Sequence, residues 1–197
     1  MLFRFFGNVP WVGKPLDVAD TLILYGGRDP RTLVMDSVLA DINYACENIS
    51  VTTDATRSTV TKYLAYALKS RICLFEGTFR KYHTELNLQG TASAWLTNAE
   101  TAAKKVMDEG GYSISSTGGP GKSYRTVFTN NAPVASEVML AAISDLTLKV
   151  LNDANWYWTS GTYGDKASFI RTFINTYLSI DGTPFTNNPD WPTMLFK

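Results

Sequence analysis

The chain has 197 residues, 18 Lys and Arg against 18 Asp and Glu, and 45% hydrophobic residues. That apolar content can offset the ordering entropy of folding, which excludes disorder over the whole length. A formal net charge of zero leaves no excess of cations to displace counterions from a phosphate backbone, which excludes a basic nucleic-acid groove.

Charged residues are only 18% of the chain, and neutral polar residues fill the gap. Thr, Ser and Asn together supply 49 residues, and Phe, Tyr and Trp supply 25. Two cysteines, Cys46 and Cys73, cannot staple a chain of this size. Both sit in helical patterns and read as buried thiols. No apolar run approaches the roughly 18 residues that a membrane span requires.

The N-terminus, Met1 to Pro10, has no charged leader, long apolar run or small-residue cleavage site, so it does not read as a signal peptide. Phe3, Phe5 and Phe6 read as the tail of a helix broken by Gly7 and Pro10. At the other end, Pro184, Pro189 and Pro192 punctuate an extended segment before Met194-Leu195-Phe196. Both ends suggest a section of something longer.

Residues 8–31 carry the glycines and prolines of a loop. A helix is predicted over 32–48, with Val34, Val38, Ile42, Ala45 and Ile49 on one face and Asp29-Pro30 at its start. The strongest helix is predicted over 57–82, capped by Ser58 or Thr59. Its stripe is Val60, Leu64, Ala67, Leu68, Ile72, Phe75 and Phe79, with Ala65 and Ala67 small enough for close helix approach. Gly77 reads as a tolerated interior glycine. A third helix is predicted over 92–109, with Trp95 in its core face and Gly110-Gly111 as its stop. The short connection over 83–91 makes the second and third helices antiparallel neighbours.

Residues 112–136 read as loop around Gly118-Gly119-Pro120-Gly121, with a short turn at 124–128. Glu137–Ile143 fits a strand or a short buried helix, and a short extended segment is favoured. A polar, aromatic loop follows over 147–165. A fourth helix is predicted over 166–179, with Phe169, Ile170, Phe173, Ile174, Tyr177 and Leu178 on one face. Asp181-Gly182-Thr183-Pro184 is a turn. The fold class is therefore mainly α: antiparallel helix pairs resembling tetratricopeptide repeats, with long loops and little β, in a single region over 1–197.

Much catalytic chemistry has no signature here. The single histidine, His83, sits at a helix end and reads as a surface or capping group. No dinucleotide fingerprint, phosphate loop or zinc-protease motif occurs, no metal site is expected, and no cofactor. Gly118-Gly119-Pro120-Gly121 lacks the lysine and hydroxyl of a phosphate cradle. Asp108-Glu109 reads as a solvated helix end. Asp153, Asp165, Asp181 and Asp190 fall in loops without a pairing that marks a glycosidase.

One stretch points to a ligand: Asn155-Trp156-Tyr157-Trp158, then Tyr163, among Thr, Ser and Gly. Three consecutive large rings in a polar segment cannot all enter a core. Flat aromatic faces beside amides and hydroxyls suit a sugar, whose C–H face stacks while its hydroxyls are hydrogen-bonded at the edge. Trp11 and Trp191 lie in proline-rich segments and could serve either core or surface.

The order of several short motifs carries a resemblance. They are Phe6-Gly7-Asn8-Val9-Pro10, Val38-Leu39-Ala40-Asp41-Ile42-Asn43-Tyr44-Ala45, Arg57 to Ala65, and Ala67 to Phe75. Gly111-Tyr112-Ser113-Ile114, Tyr124-Arg125-Thr126-Val127-Phe128, Ser136-Glu137-Val138-Met139-Leu140 and Tyr177 to Pro184 follow. Over about residues 3–191 the chain resembles a middle section of the SusD/RagB family of Bacteroidetes outer-membrane nutrient-binding lipoproteins. The resemblance implies a tetratricopeptide-like helical fold and a lipid-anchored, surface-exposed protein of the outer membrane, whose anchor is absent from this chain. It implies a non-catalytic role: capture of oligosaccharides or polysaccharides, sometimes peptides, for a SusC-like TonB-dependent transporter. The carry-over to Trp156, Tyr157, Trp158 and Tyr163 is positional. Two rivals remain: a helical-repeat protein-interaction scaffold without glycan binding, and a helical glycoside-processing enzyme.

Overall fold

The computed structural model describes residues 6–150, 154–165 and 168–191, with the side chains of residues 154 and 155 outside that description. The expected helix tail before Gly7 and the apolar segment at 194–196 lie almost wholly outside the described residues. The chain forms two compact units, Met1–Ala142 and Ile143–Lys197. It is mainly helical. Among the described residues, β pairing is limited to three isolated bridges.

The first unit contains α1 (Thr21–Leu24), α2 (Arg31–Asn48), α3 (Lys62–Tyr82), α4 (Gln89–Glu109) and α5 (Ser123–Thr129). α2 starts where Pro30 presets the backbone, and the Asn8 side chain, far back in sequence, accepts from the Arg31 N–H at 3.2 Å. Its neighbour Asp29 caps nothing; it accepts from the Trp11 N–H at 2.7 Å. Arg31 at the start of α2 meets Glu76 and Phe79 late in α3, so the two helices run antiparallel.

α3 and α4 are also antiparallel, joined by a 3-10 turn at Thr84–Leu86. Ser70 Oγ donates to the Ala99 carbonyl at 2.9 Å, Gly77 faces Leu96, and Arg80 donates to Thr91 Oγ1 at 2.9 Å. Gly77 is more than a tolerated glycine. A Cβ there would stand 2.8 Å from the Leu96 side chain and 3.1 Å from its backbone nitrogen, so the glycine sets the helix separation. Gly111, at φ 69°, ends α4 in the left-handed conformation that glycine adopts without strain.

Between the three helices lies the cluster Met35, Cys73, Trp95 and Ala99, with Leu39 and Ile72 against it. Trp95 is a core residue, as expected, and both thiols are buried and unpaired. Burial pushes both thiols above their ordinary value.

The apolar stripe expected on α3 is not its buried face. Val60 and Leu68 are exposed, and the buried line runs through Thr61, Ala65, Cys73, Glu76, Gly77 and Arg80. Glu76 is shared by two arginines. Arg31 approaches Oε2 through Nη2 at 2.6 Å and Nε at 3.1 Å, and Arg80 Nε approaches Oε1 at 2.8 Å. The guanidinium of Arg31 lies 3.7 Å from the Phe79 ring centroid, and that of Arg80 lies 4.9 Å from Trp95. The aromatic faces thus replace part of the water that the two cations lose on burial.

The start of α3 also differs from expectation. The Asp54 carboxylate accepts from the Thr56, Ser58 and Thr59 N–H groups at 3.0, 2.8 and 2.7 Å, and from the Thr56 hydroxyl at 2.8 Å. Those donors are therefore committed to a turn, Arg57 sits at φ 58°, and the cap is Thr61, which accepts from the Leu64 N–H. Arg57 ties later segments to this turn. Its guanidinium donates to the Ala135 carbonyl and its own carbonyl accepts from Ala141 at 2.8 Å. Residues 137–143 form a turn and then irregular backbone, not a strand.

The second unit holds α6 (Ala154–Thr159), α7 (Arg171–Ile174) and a 3-10 turn at Phe185–Asn187. Of the fourth helix expected over 166–179, residues 166 and 167 lie outside the described residues, and over 168–179 only the single turn of α7 is helical, because Ile170 before it is extended at ψ 143°. The turn at 181–184 is present: Asp181 accepts from the Thr183 N–H and hydroxyl, and Gly182 takes φ 81°. No described residue of this unit is buried.

Candidate functional site

The aromatic stretch expected in a loop forms α6, a correction with a local cause. Residues 154–159 close one and a half turns, and the following segment folds back on them. Ser160 donates to the Trp156 carbonyl at 3.1 Å, and Asp165 donates to the Tyr157 carbonyl at 3.0 Å. Gly164 makes this return possible. A Cβ at that position would collide with the Ser160 carbonyl and stand 2.9 Å from the Tyr157 carbonyl. The Ser160 hydroxyl then accepts from the Tyr163 N–H at 3.1 Å, which sets the Tyr163 backbone beside the helix.

Successive residues of a helix point about 100° apart, so Trp156, Tyr157 and Trp158 fan around α6 rather than sharing a face. The fold-back brings Tyr163 to Trp156: their centroids are 6.2 Å apart and their planes differ by 14°. Tyr157 and Trp158 meet edge to face at 5.4 Å. All four rings are exposed, at 59% for Trp156, 45% for Tyr157, 58% for Trp158 and 75% for Tyr163. Asn155 is a helical position of α6, and its side chain lies outside the described part. The result is an open platform of two ring pairs. It can stack on the flat apolar face of a ligand, and the hydroxyls of Ser160 and Thr162 belong to the same turn.

A second set of rings lies where the sequence places one face of a fourth helix. Phe169 stacks on Phe173 at 5.4 Å and Phe173 meets Tyr177 edge to face at 5.8 Å, all three exposed. The i, i+4 spacing was the available signal. It reports ring contact whether or not the residues face a core.

In the first unit a hollow of about 480 Å³ opens beside Asn8, Arg31, Thr32, Phe79, His83 and Leu88. Its polar groups are already engaged: Arg31 with Glu76, and His83 Nδ1 with Glu85 at 2.7 Å. His83 follows α3 directly, half-exposed and stacked 4.1 Å from Phe79, as a capping residue would be. The Gly118-Gly119 run makes a turn with both φ angles positive and leads into α5, where Ser123 bonds back to the Gly119 carbonyl. Asp108 and Glu109 pair with Lys104 and Lys105. Among the described residues no group of three His, Cys, Asp or Glu could hold a metal ion, and no helix is long and apolar enough to cross a membrane.

Comparison with family models found no match, and comparison with curated proteins and with solved structures found none either. The fold class therefore stands on the structure, and the functional reading rests on the platform and the motif order.

Proposed function

We propose that this chain is a non-catalytic glycan-binding section of a SusD-like protein, and that the platform of α6 takes the sugar. One observation carries the reading: Trp156 and Tyr163 hold near-parallel rings at the surface, positioned by backbone hydrogen bonds rather than by core packing. Exposed rings cost contact with water, and a bound pyranose relieves that cost by covering them. The neutral, hydroxyl-rich composition around them supports an uncharged polyhydroxyl ligand. The motif order from Phe6 to Pro184 supports the SusD/RagB assignment. With it come a place on the outer-membrane surface through a lipid anchor and a SusC-like transporter as the receiving partner.

An open platform preorganises little, so binding is weak, in the millimolar to micromolar range. Calorimetric titration of neutral oligosaccharides tests this, with Trp156→Ala and Tyr163→Ala as variants. Each variant is expected to lose at least tenfold in affinity. Unchanged affinity in both removes the site assignment, and turnover of any glycan promotes the enzyme reading instead.

A further inference from the structure

Residues 112–142 close the first unit, and one side chain and its own carbonyl tie them to what comes before. Among the described residues, the hydrogen bonds between this segment and residues 6–111 both belong to Arg57. Its guanidinium donates to the Ala135 carbonyl, and its carbonyl accepts from the Ala141 N–H at 2.8 Å. The same guanidinium lies 5.7 Å from the Tyr112 ring centroid, so Arg57 meets the segment at its start as well as near its end. No ion pair links the segment to the helices among the described residues. α5, which lies within it, has no extended packing against α2, α3 or α4.

The segment is closed on itself. The Ser113 N–H donates to the Ser136 carbonyl at 2.8 Å, and the Ser115 N–H donates to Glu137 Oε2 at 2.8 Å. It leaves α4 through Gly111, whose φ of 69° glycine adopts freely and around which no atom stands close. The backbone can therefore swing at that point.

Arg57 is poised rather than locked. The turn around Asp54 holds it at φ 58°, a conformation that residues with a side chain rarely adopt. Its Nε is buried and finds no acceptor among the described residues. An unsatisfied buried donor raises the free energy of the closed state, and opening gives that donor to water.

We propose that residues 112–142 are a strap, hinged at Gly111 and latched by Arg57, which opens as a unit while the three long helices stay folded. Opening moves the exposed Tyr124–Phe128 ring pair, 5.0 Å between centroids, which rides on α5. The two hydrogen bonds inside the strap join short irregular segments, so they open with it.

Native-state amide hydrogen exchange on the full chain tests this, with Arg57→Gly as the variant. Glycine keeps the left-handed turn and the carbonyl that Ala141 uses, and removes only the guanidinium. The Ala141, Ser113 and Ser115 amides are expected to exchange at least tenfold faster together, while the amides of α3 and α4 keep their protection. The near-ultraviolet signal of Trp95 is expected to stay unchanged, which shows the helical core retained. Unchanged exchange at Ala141 overturns the proposal, because the guanidinium is then no latch. So does faster exchange at Ala141 alone, because the segment then does not move as a unit. Equal loss of protection in α3 and α4 overturns it too, because Arg57 then supports the whole unit.

Discussion

The two units of this chain place their large side chains in opposite ways. In Met1–Ala142, α2, α3 and α4 bury Met35, Cys73 and Trp95, and they bury Arg31, Glu76 and Arg80 with them. In Ile143–Lys197, rings of similar size stand in solvent, and no described residue is buried. The first arrangement gains stability from apolar contact and from charges that satisfy one another. The second holds its rings by backbone hydrogen bonds and by contact with one another, without a core, which leaves them exposed to a partner. Trp95 in the first unit is a structural part, whereas the rings of α6 in the second are available.

The sharpest way to break this contrast is to remove the carboxylate at the centre of the first unit. Glu76→Gln removes the buried carboxylate that Arg31 and Arg80 share, with the exposed Asp36 carboxylate 3.7 Å from Arg80 a poor substitute, and is expected to cost about 3–5 kcal/mol in urea denaturation. Removing a ring of α6 is expected to leave that transition where it was. Because the chain has two units, the transition is to be followed by a probe of the first unit, such as the near-ultraviolet signal of Trp95, rather than by a single global midpoint.

That carboxylate also marks where sequence reading stops. The three long helices were legible from their apolar spacing, and α2 and α4 begin within a few residues of expectation. Apolar spacing passes over charged residues by construction, so Arg31, Glu76 and Arg80 left no signal, although they occupy the buried line of α3. The start of α3 was misread because Ser58 and Thr59 looked like caps. Asp54, a few residues earlier, had already claimed their N–H groups. In the second unit the rings were correctly read as too many for a core. The return of Gly164 onto α6, which creates the Trp156–Tyr163 pair, depends on a backbone contact that no side-chain pattern encodes. The exposure of Phe169 and Phe173 was likewise invisible, since their periodicity matches that of a buried helix.

Smaller perturbations sharpen the comparison further. Gly77→Ala forces α3 and α4 apart against Leu96 and is expected to cost about 1–3 kcal/mol, measured in the same denaturation experiment. Gly164→Ala is its counterpart in the second unit. It disrupts the return that sets Tyr163 on Trp156, so the near-ultraviolet dichroism of the coupled rings is expected to fall while the first unit's urea midpoint holds.

The smallest effect is one of pH. Hydrogen bonds from the Thr56 hydroxyl and the Thr59 and Thr56 N–H groups hold the Asp54 carboxyl well below its ordinary value of 3.8. A group depressed in the folded state stabilises it above the ordinary value and loses that contribution as pH falls below it. The turn before α3 is therefore expected to loosen below about pH 4, seen as faster amide exchange at Ser58 and Thr59. Asp54→Asn should flatten that acid dependence.

The two thiols of the first unit also supply a clock. Cys46 and Cys73 are shut away from solvent and kept protonated by their surroundings, so neither reacts with an alkylating reagent until the helices part. Their labelling rates then count opening events from inside the native ensemble, without denaturant and without an added probe. Cys73, in the central cluster, times the separation of all three helices. Cys46, near the end of α2, times the release of that helix from α3.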